Sequence, residues 1–214
     1  DVMHAVRFAR DHKASVAVRG GGHNIAGSAL CDGGLVIDVS AMTSVRVDPA
    51  SQRAWVEPGA TLGEVDRETQ EFGLAVPTGI NSTTGIAGLT LGGGFGWITR
   101  KFGLTIDNLL SADVVTADGA FNHVDAETHA DLFWALRGGG GNFGVVTGFQ
   151  YKLSPAGMVY GGGLVLPATR EVLRGWAEYA AEAPDELTTI VFVMPAPPLP
   201  FIPAEHHGKL VAIV

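Results

Sequence analysis

A single cysteine, Cys31, stands in a chain of 214 residues. No internal disulfide can form, which excludes a disulfide-stapled scaffold. One thiol is compatible with a reducing compartment, and a cytoplasmic location is expected. Long apolar runs are missing too. None approaches the roughly 20 residues that a membrane-spanning helix needs, and no signal-peptide pattern is visible. Neither a membrane nor a nucleic acid is expected as a partner. Lys and Arg number 14 against 22 Asp and Glu, a net charge of −8, and no run of basic residues offsets it. No Gly-Lys-Ser/Thr follows a glycine run, so a P-loop is unsupported. No Gly-x-Ser-x-Gly elbow supports a serine hydrolase. His4, His12, His123, His129, His206 and His207 show no helical metal spacing. The adjacent pair His206-His207 would point to opposite faces of a strand. No metal site is expected.

Glycine is what the chain has in excess, 30 residues of 214. The apolar fraction of 46% against 17% charged is enough to bury a core, and the length suits one large or two modest domains. The glycines gather in three clusters, at 20–22, 92–96 and 138–144. Gly in regular structure is destabilising by roughly 0.5–1 kcal/mol relative to Ala, so clusters of this density ask for a use. Arg19-Gly20-Gly21-Gly22-His23-Asn24 has no Cβ atoms to keep a ligand away. Successive N–H groups in such a turn can form a concavity that holds an anion, with the His23 imidazole at its edge. A long ligand with a diphosphate in its middle, such as FAD, would use several such turns. Gly139-x-Gly141-x-x-Gly144 fits the letters of the dinucleotide fingerprint, but a helix precedes it and a strand follows, the reverse of what that motif requires.

Along the chain, Val2, Ala5, Val6 and Ala9 recur at helical spacing. Ser15–Arg19 and Leu35–Val39 read as strands. Val45–Val47 and Arg53–Val56 read as two more, joined by the turn residues Asp48-Pro49-Ala50-Ser51. Thr61 with Glu64 is a capping box opening a helix whose inner face would be Leu62, Val65, Thr69 and Phe72, stopped by Gly73. Residues 76–103 are too apolar for a linker, and Ile86, Leu89, Leu91 and Phe95 call for burial. Ala112–Ala117, the Asp118-Gly119 turn and Phe121–Val124 form a hairpin. A short helix over 129–137, with Leu132, Phe133 and Leu136 inward, precedes the strand Val145–Leu153. Ser154-Pro155-Ala156-Gly157 breaks the composition. Beyond it we expect a strand over Met158–Leu166, a helix over 168–182, a strand over Leu187–Met194, a proline-rich loop, and a closing strand, Lys209–Val214, without a visible partner. The opening helix and this last strand point to a piece of a longer protein.

Arg19–Asn24, Gly85-Ile86-Ala87-Gly88 with Gly92-Gly93-Gly94-Phe95-Gly96, and Gly141-Asn142-Phe143-Gly144-Val145-Val146-Thr147 occur in this order in the FAD-linked oxidases. Asp107-Asn108, Val115–Gly119 and Leu132–Gly138 are similar as well. Over residues 1 to about 155 the chain resembles the flavoproteins with the fold of vanillyl-alcohol oxidase and p-cresol methylhydroxylase (PCMH). Within them it is most similar to the branch of berberine bridge enzyme, hydroxynicotine oxidase and glucooligosaccharide oxidase.

The resemblance implies an α+β fold: a PCMH-type FAD-binding domain of two subdomains over 1–155, then the start of an antiparallel-sheet substrate domain over 156–214. It implies hydride transfer from an alcohol, amine or similar carbon of a small organic substrate to flavin N5, with O₂ as the reoxidant. The alternatives are a dehydrogenase with another acceptor, or a flavin- or nucleotide-holding module without turnover. His23 matches the histidine joined to the flavin 8α-methyl carbon. Gly20, Gly21, Gly22 and Asn24 match the diphosphate cradle. Thr78, Gly79, Thr84, Gly85, Gly88, Gly92, Gly93, Gly94 and Gly96 lie in the segment along the isoalloxazine and ribityl chain. Asn142, Gly144, Val145 and Val146 lie in the one near the diphosphate and adenine. Asn81 stands where some members carry a second flavin-linking cysteine. The catalytic base is expected beyond residue 214, so no catalytic residue is assigned within the chain.

Overall fold

A computed structural model describes all residues from Asp1 to Val214. The chain forms two compact units, Asp1–Gly157 and Met158–Val214.

The first unit opens with α1 (Val2–Asp11), β1 (Val16–Arg19) and β2 (Leu35–Asp38). β1 and β2 pair in parallel, Val16 opposite Leu35 and Arg19 opposite Asp38. There follow β3 (Val45–Asp48), β4 (Arg53–Val56), α2 (Leu62–Gln70), β5 (Leu74–Ala75), α3 (Ile86–Leu91) and α4 (Thr99–Phe102). Then come β6 (Leu109–Val115), β7 (Phe121–Asp125), α5 (Ala130–Leu136), β8 (Val145–Lys152) and β9 (Ser154–Pro155). Five of these strands make an antiparallel sheet in the order β3-β4-β8-β6-β7. Alternation along it sets one face inward, so that Ala54, Val56, Ala112, Val114, Phe149 and Tyr151 meet Leu62 and Val65 of α2, Ile86 and Leu91 of α3, and Phe133 and Leu136 of α5. A smaller cluster joins α1 and β2 to the end of the same sheet through Val6, Ile37, Val39, Val115 and Val145.

Local signals act as read. The hydroxyl of Thr61 accepts from the Glu64 amide while the Glu64 carboxylate accepts from Thr61 N at 2.7 Å, and α2 starts there. Asp118-Gly119 closes the β6–β7 hairpin, with Gly119 at φ +77°.

The opening helix is not partnerless. Val6 and Ala9 are buried, and Arg7 Nη2 and Arg10 Nη1 donate to the carbonyls of Gly119 and Asp118 at 3.0 and 2.6 Å. Phe72 does not face inward: α2 ends at Gln70, two residues before it, and the ring stays half exposed. Phe95 is 68% exposed, because Gly93 and Gly94, at φ +108° and +72°, swing it away from the core.

The second unit contains β10 (Val165–Pro167), α6 (Arg170–Glu182), β11 (Phe192–Pro195) and β12 (Leu210–Ile213). Both early strands are shorter than the sequence suggests. Gly161-Gly162-Gly163 supplies no side chains to pair across a sheet, so Met158 to Leu164 forms no strand. The closing strand proves to have partners on both sides. β12 is the middle of a three-stranded antiparallel sheet, β10-β12-β11, with Ala212 opposite both Leu166 and Val193. Val211 and Ala212 are buried accordingly.

Candidate functional site: a glycine-lined cleft

The capping box at Thr61 is the anchor of the site. It sets the start of α2, and the segment before α3 is then strapped to that start. Leu62 N donates to Thr84 O and Gly63 N to Ser82 O, each at 2.9 Å, while Ile86 N donates to Ala60 O at 2.9 Å. This fixes Gly85 at the entrance of α3. The glycine turn leaving β1 comes down onto it. A Cβ on Gly21 would lie 2.5 Å from the amide nitrogen of Gly85, so the two backbones touch at a place where neither residue has room for a side chain. Gly20 packs the same way on Pro58 O, 3.1 Å from where its Cβ would stand. The third piece, residues 140–144, enters β8 through Gly144, whose missing Cβ would collide with Val115 O.

These three segments enclose a cleft of about 680 Å³. Gly20, Gly21, Gly22, His23 and Asn24 line it on one side, Thr84, Gly85, Gly88 and Gly92 on another, and Asn142, Gly144 and Val146 on a third. Six expected positions stand off that lining: Thr78, Gly79, Gly93, Gly94, Gly96 and Val145. Four of them are packed against the protein's own atoms. A Cβ on Gly79 would press on Leu89 and Leu62, one on Gly94 would collide with Thr105 and one on Gly96 with Thr78 O. Val145 is buried in the cluster with Val6 and Ile37. The loop 92–96 is also held by its own protein, with Thr105 N and Ile106 N donating to Gly94 O and Gly93 O at 3.0 and 3.1 Å.

Sequence reasoning missed the apolar floor, Ala17, Val18, Val39 and Leu91, together with Pro58, Gly140 and Gly141. For Ala17 and Val18 the signal was the strand β1 leading into the first glycine turn, whose last residues sit beside whatever the turn holds.

The lining carries no Lys, Arg, Asp or Glu. Arg19, at the end of β1, is engaged in an ion pair with Asp38 at 3.1 Å. The Ser40 hydrogen bonds, and then Arg19, hold the Asp38 carboxyl below its ordinary range. An anion in the cleft would therefore be met by peptide N–H groups, as in a backbone nest. Gly88 and Gly141 face open space, with no atom within 4 Å of where a Cβ would be. The walls are thus bare backbone over an apolar floor, a surface that fits a long, flat, partly anionic ligand of the FAD type.

His23 is the one titratable side chain on the lining. Its Nε2 lies 3.3 Å from the hydroxyl of Thr83. Asn24 folds back on its own loop, accepting from Ser28 N at 3.1 Å. Beneath α3, the Thr90 hydroxyl meets the phenol of Tyr151 at 2.7 Å inside the core; burial pushes that phenol well above its ordinary pKa, and the bond to Thr90 offsets part of the rise. A second hollow, about 450 Å³, lies on the other face of the sheet. Its charged groups are already engaged: Arg46 lies over the Trp55 ring at 4.7 Å, His123 meets Asp113 at 2.7 Å, and Glu57 accepts from Ser44 N at 2.9 Å. No glycine cluster borders it.

Comparison with known proteins follows the same lines. Residues 1–125 match the family described as FAD binding domain. An FAD-linked oxidoreductase of Dictyostelium discoideum is 42% identical over 199 residues, 91% of this chain and 44% of that protein. The (R)-6-hydroxynicotine oxidase of Paenarthrobacter nicotinovorans is 44% identical over 153 residues, 72% of this chain and 33% of that protein. The crystal structure of 6-hydroxy-D-nicotine oxidase from Arthrobacter nicotinovorans superposes with a TM-score of 0.84 at 32% identity, covering 99% of this chain and 46% of that one. The chain thus spans 33% to 46% of the length of these relatives.

Proposed function

The chain belongs to the FAD binding domain family, and on that premise we propose that it is the cofactor-holding part of an oxidoreductase that takes a hydride from an alcohol, amine or similar carbon of a small organic substrate. The hydride goes to flavin N5, O₂ is the final acceptor, and FAD is joined to the chain through His23. Residues 1–155 are read as the FAD domain and 156–214 as part of the substrate domain. A cytoplasmic location belongs to the same reading and rests on the lone Cys31.

The observation that carries it is the convergence of three glycine segments, far apart in sequence, on one cleft with His23 on its lining. FAD, when bound, supplies the redox chemistry. The chain's own residues have narrower tasks. Gly20–Gly22 and Gly140–Gly144 offer N–H groups to the diphosphate. Thr84, Gly85, Gly88 and Gly92 present backbone to the ring system and ribityl chain. Ala17, Val18, Val39 and Leu91 keep water from the apolar side. His23 supplies the ring nitrogen that would hold the cofactor in place.

The test is made on the full-length protein. After acid denaturation, the peptide containing His23 should carry the mass of the flavin. His23→Ala should retain only FAD that comes off in acid, because the backbone cradle is intact. Complete release of flavin from the fully loaded wild type overturns the covalent reading. Absorbance that bleaches under substrate without O₂ and returns with air supports an oxidase; bleaching that air does not reverse would assign the electrons to another acceptor.

A further inference from the structure

Asn81, Thr83 and His23 form a short hydrogen-bonded chain at the edge of the cleft, and its proton directions follow from one group that has no choice. The backbone amide of Thr83 can only donate, and it lies 3.2 Å from the Asn81 side chain. The Asn81 atom facing it is therefore the carbonyl oxygen, not the NH₂. The Thr83 hydroxyl faces the same oxygen at 2.9 Å and spends its only proton there. What remains on that hydroxyl is lone pairs, and His23 Nε2 lies 3.3 Å away. The neutral His23 ring thus carries its hydrogen on Nε2, where it donates to Thr83, and its lone pair on Nδ1.

We propose that Thr83, held by Asn81, is a positioning residue that orients His23 and keeps Nδ1 as the nucleophilic nitrogen for attachment of the cofactor. This rests on the covalent reading above. The step balances as follows. Nδ1 forms a bond to the flavin 8α carbon, one C–H bond of that methyl group breaks, and the Nε2 hydrogen leaves as a proton by way of the Thr83 hydroxyl or solvent. Two electrons and two protons are released in all, and O₂ takes them up as H₂O₂. Neither Asn81 nor Thr83 forms a bond to the cofactor. A substitution at either changes how the ring is held, while the glycine cradle is untouched.

Two measurements test it on the full-length protein. In the flavin-free protein labelled with ¹⁵N-histidine, with His23→Ala to assign the signal, long-range proton–nitrogen correlations should show His23 with hydrogen on Nε2. Thr83→Ala and Asn81→Ala should each reduce that bias, and Thr83→Ser should restore it. When FAD is added and acid-stable flavin is followed over time, Thr83→Ala should attach about fivefold more slowly, the factor carried by one hydrogen bond of ordinary strength. Thr83→Ser should attach at the wild-type rate. A wild-type ring with hydrogen on Nδ1 overturns the proposal, as does a Thr83→Ala protein that matches the wild type in both tautomer and attachment rate. A wild type that never attaches flavin sinks the covalent reading, and this inference with it. A Thr83→Ala protein that matches the wild type in both respects and still attaches flavin removes the role of Thr83 and leaves the covalent reading standing.

Discussion

Gly20–Gly22 and Gly92–Gly96 look alike on paper, each a glycine run beside an aromatic or imidazole ring. In space they serve different ends. The first run lies along the cleft, where Gly20 and Gly21 give up their side chains to the backbones of Pro58 and Gly85, and Gly22, at φ +68°, turns the chain. In the second, only Gly92 reaches the cleft. Gly94 and Gly96 are small because Thr105 and the carbonyl of Thr78 occupy the volume a side chain would need. Glycine density therefore marks close approach, and whether the approaching atom belongs to a ligand or to the protein is decided elsewhere.

The sharpest way to break this comparison is at Gly96. A methyl group there meets a carbonyl that cannot move aside, so Gly96→Ala should destabilise the protein by about 3 kcal/mol, the upper end of overpacking costs. Urea unfolding of the flavin-free protein should show the loss in full, since it does not depend on the ligand. A wild-type midpoint would mean that the 92–96 loop does not pack as described.

Gly21→Ala comes next. Its Cβ forces apart the backbones of Gly21 and Gly85, at a cost of about 1–3 kcal/mol, and the displaced backbone is cleft wall. Stability and flavin uptake should fall together. Loss of one without the other would separate the two roles that the geometry gives this residue.

Gly88→Ala should split them in the opposite sense. Gly88 lies within α3 and borders the cleft, and its missing Cβ meets nothing. Alanine should stabilise the flavin-free protein by about 0.5–1 kcal/mol through helix propensity. Its methyl group intrudes on the ligand, and FAD affinity should fall about tenfold. Calorimetry of the flavin-free protein beside a titration with FAD reads both. Unchanged affinity would show that the ligand does not pass over Gly88.

The smallest effect concerns the anchor beneath the site. The Thr61 backbone hydrogen bond, then its hydroxyl, hold the Glu64 carboxyl below the ordinary glutamate value. A carboxyl depressed in the folded state contributes its stability at and above the ordinary value and loses it as pH falls toward the lowered one. Glu64 is half-buried but still meets water, which screens the interaction, so the loss should be about 0.5 kcal/mol below the ordinary glutamate range. Glu64→Gln, which can still accept from Thr61 N, should flatten that part of the stability–pH curve.

Features whose cause is local were legible in the residues: the capping box of Thr61 and Glu64, the Asp118-Gly119 hairpin, the strands β6 and β8, and the reversed order of elements around Gly139–Gly144. Features whose cause is distant were not. Lys209–Val214 reads as a strand with no partner, yet it is the middle of a sheet, because the strands that flank it lie 15 and more positions upstream. Phe72 and Phe95 read as core, but Phe72 lies past the end of α2 and Phe95 follows two glycines at positive φ, and both rings are exposed.

The sequence by itself determined the composition of the site: bare backbone in three runs, a histidine after the first, no basic side chain set among them and no disulfide to organise them. Those properties belong to each residue alone and survive any folding. The tertiary structure decided which glycines share a cleft, that Arg19 pairs with Asp38, and that Thr83 meets His23 across 60 positions of chain. Contacts of that kind depend on the packing of β1, α3 and β8 around one core, and no local pattern of residues encodes the distance between them.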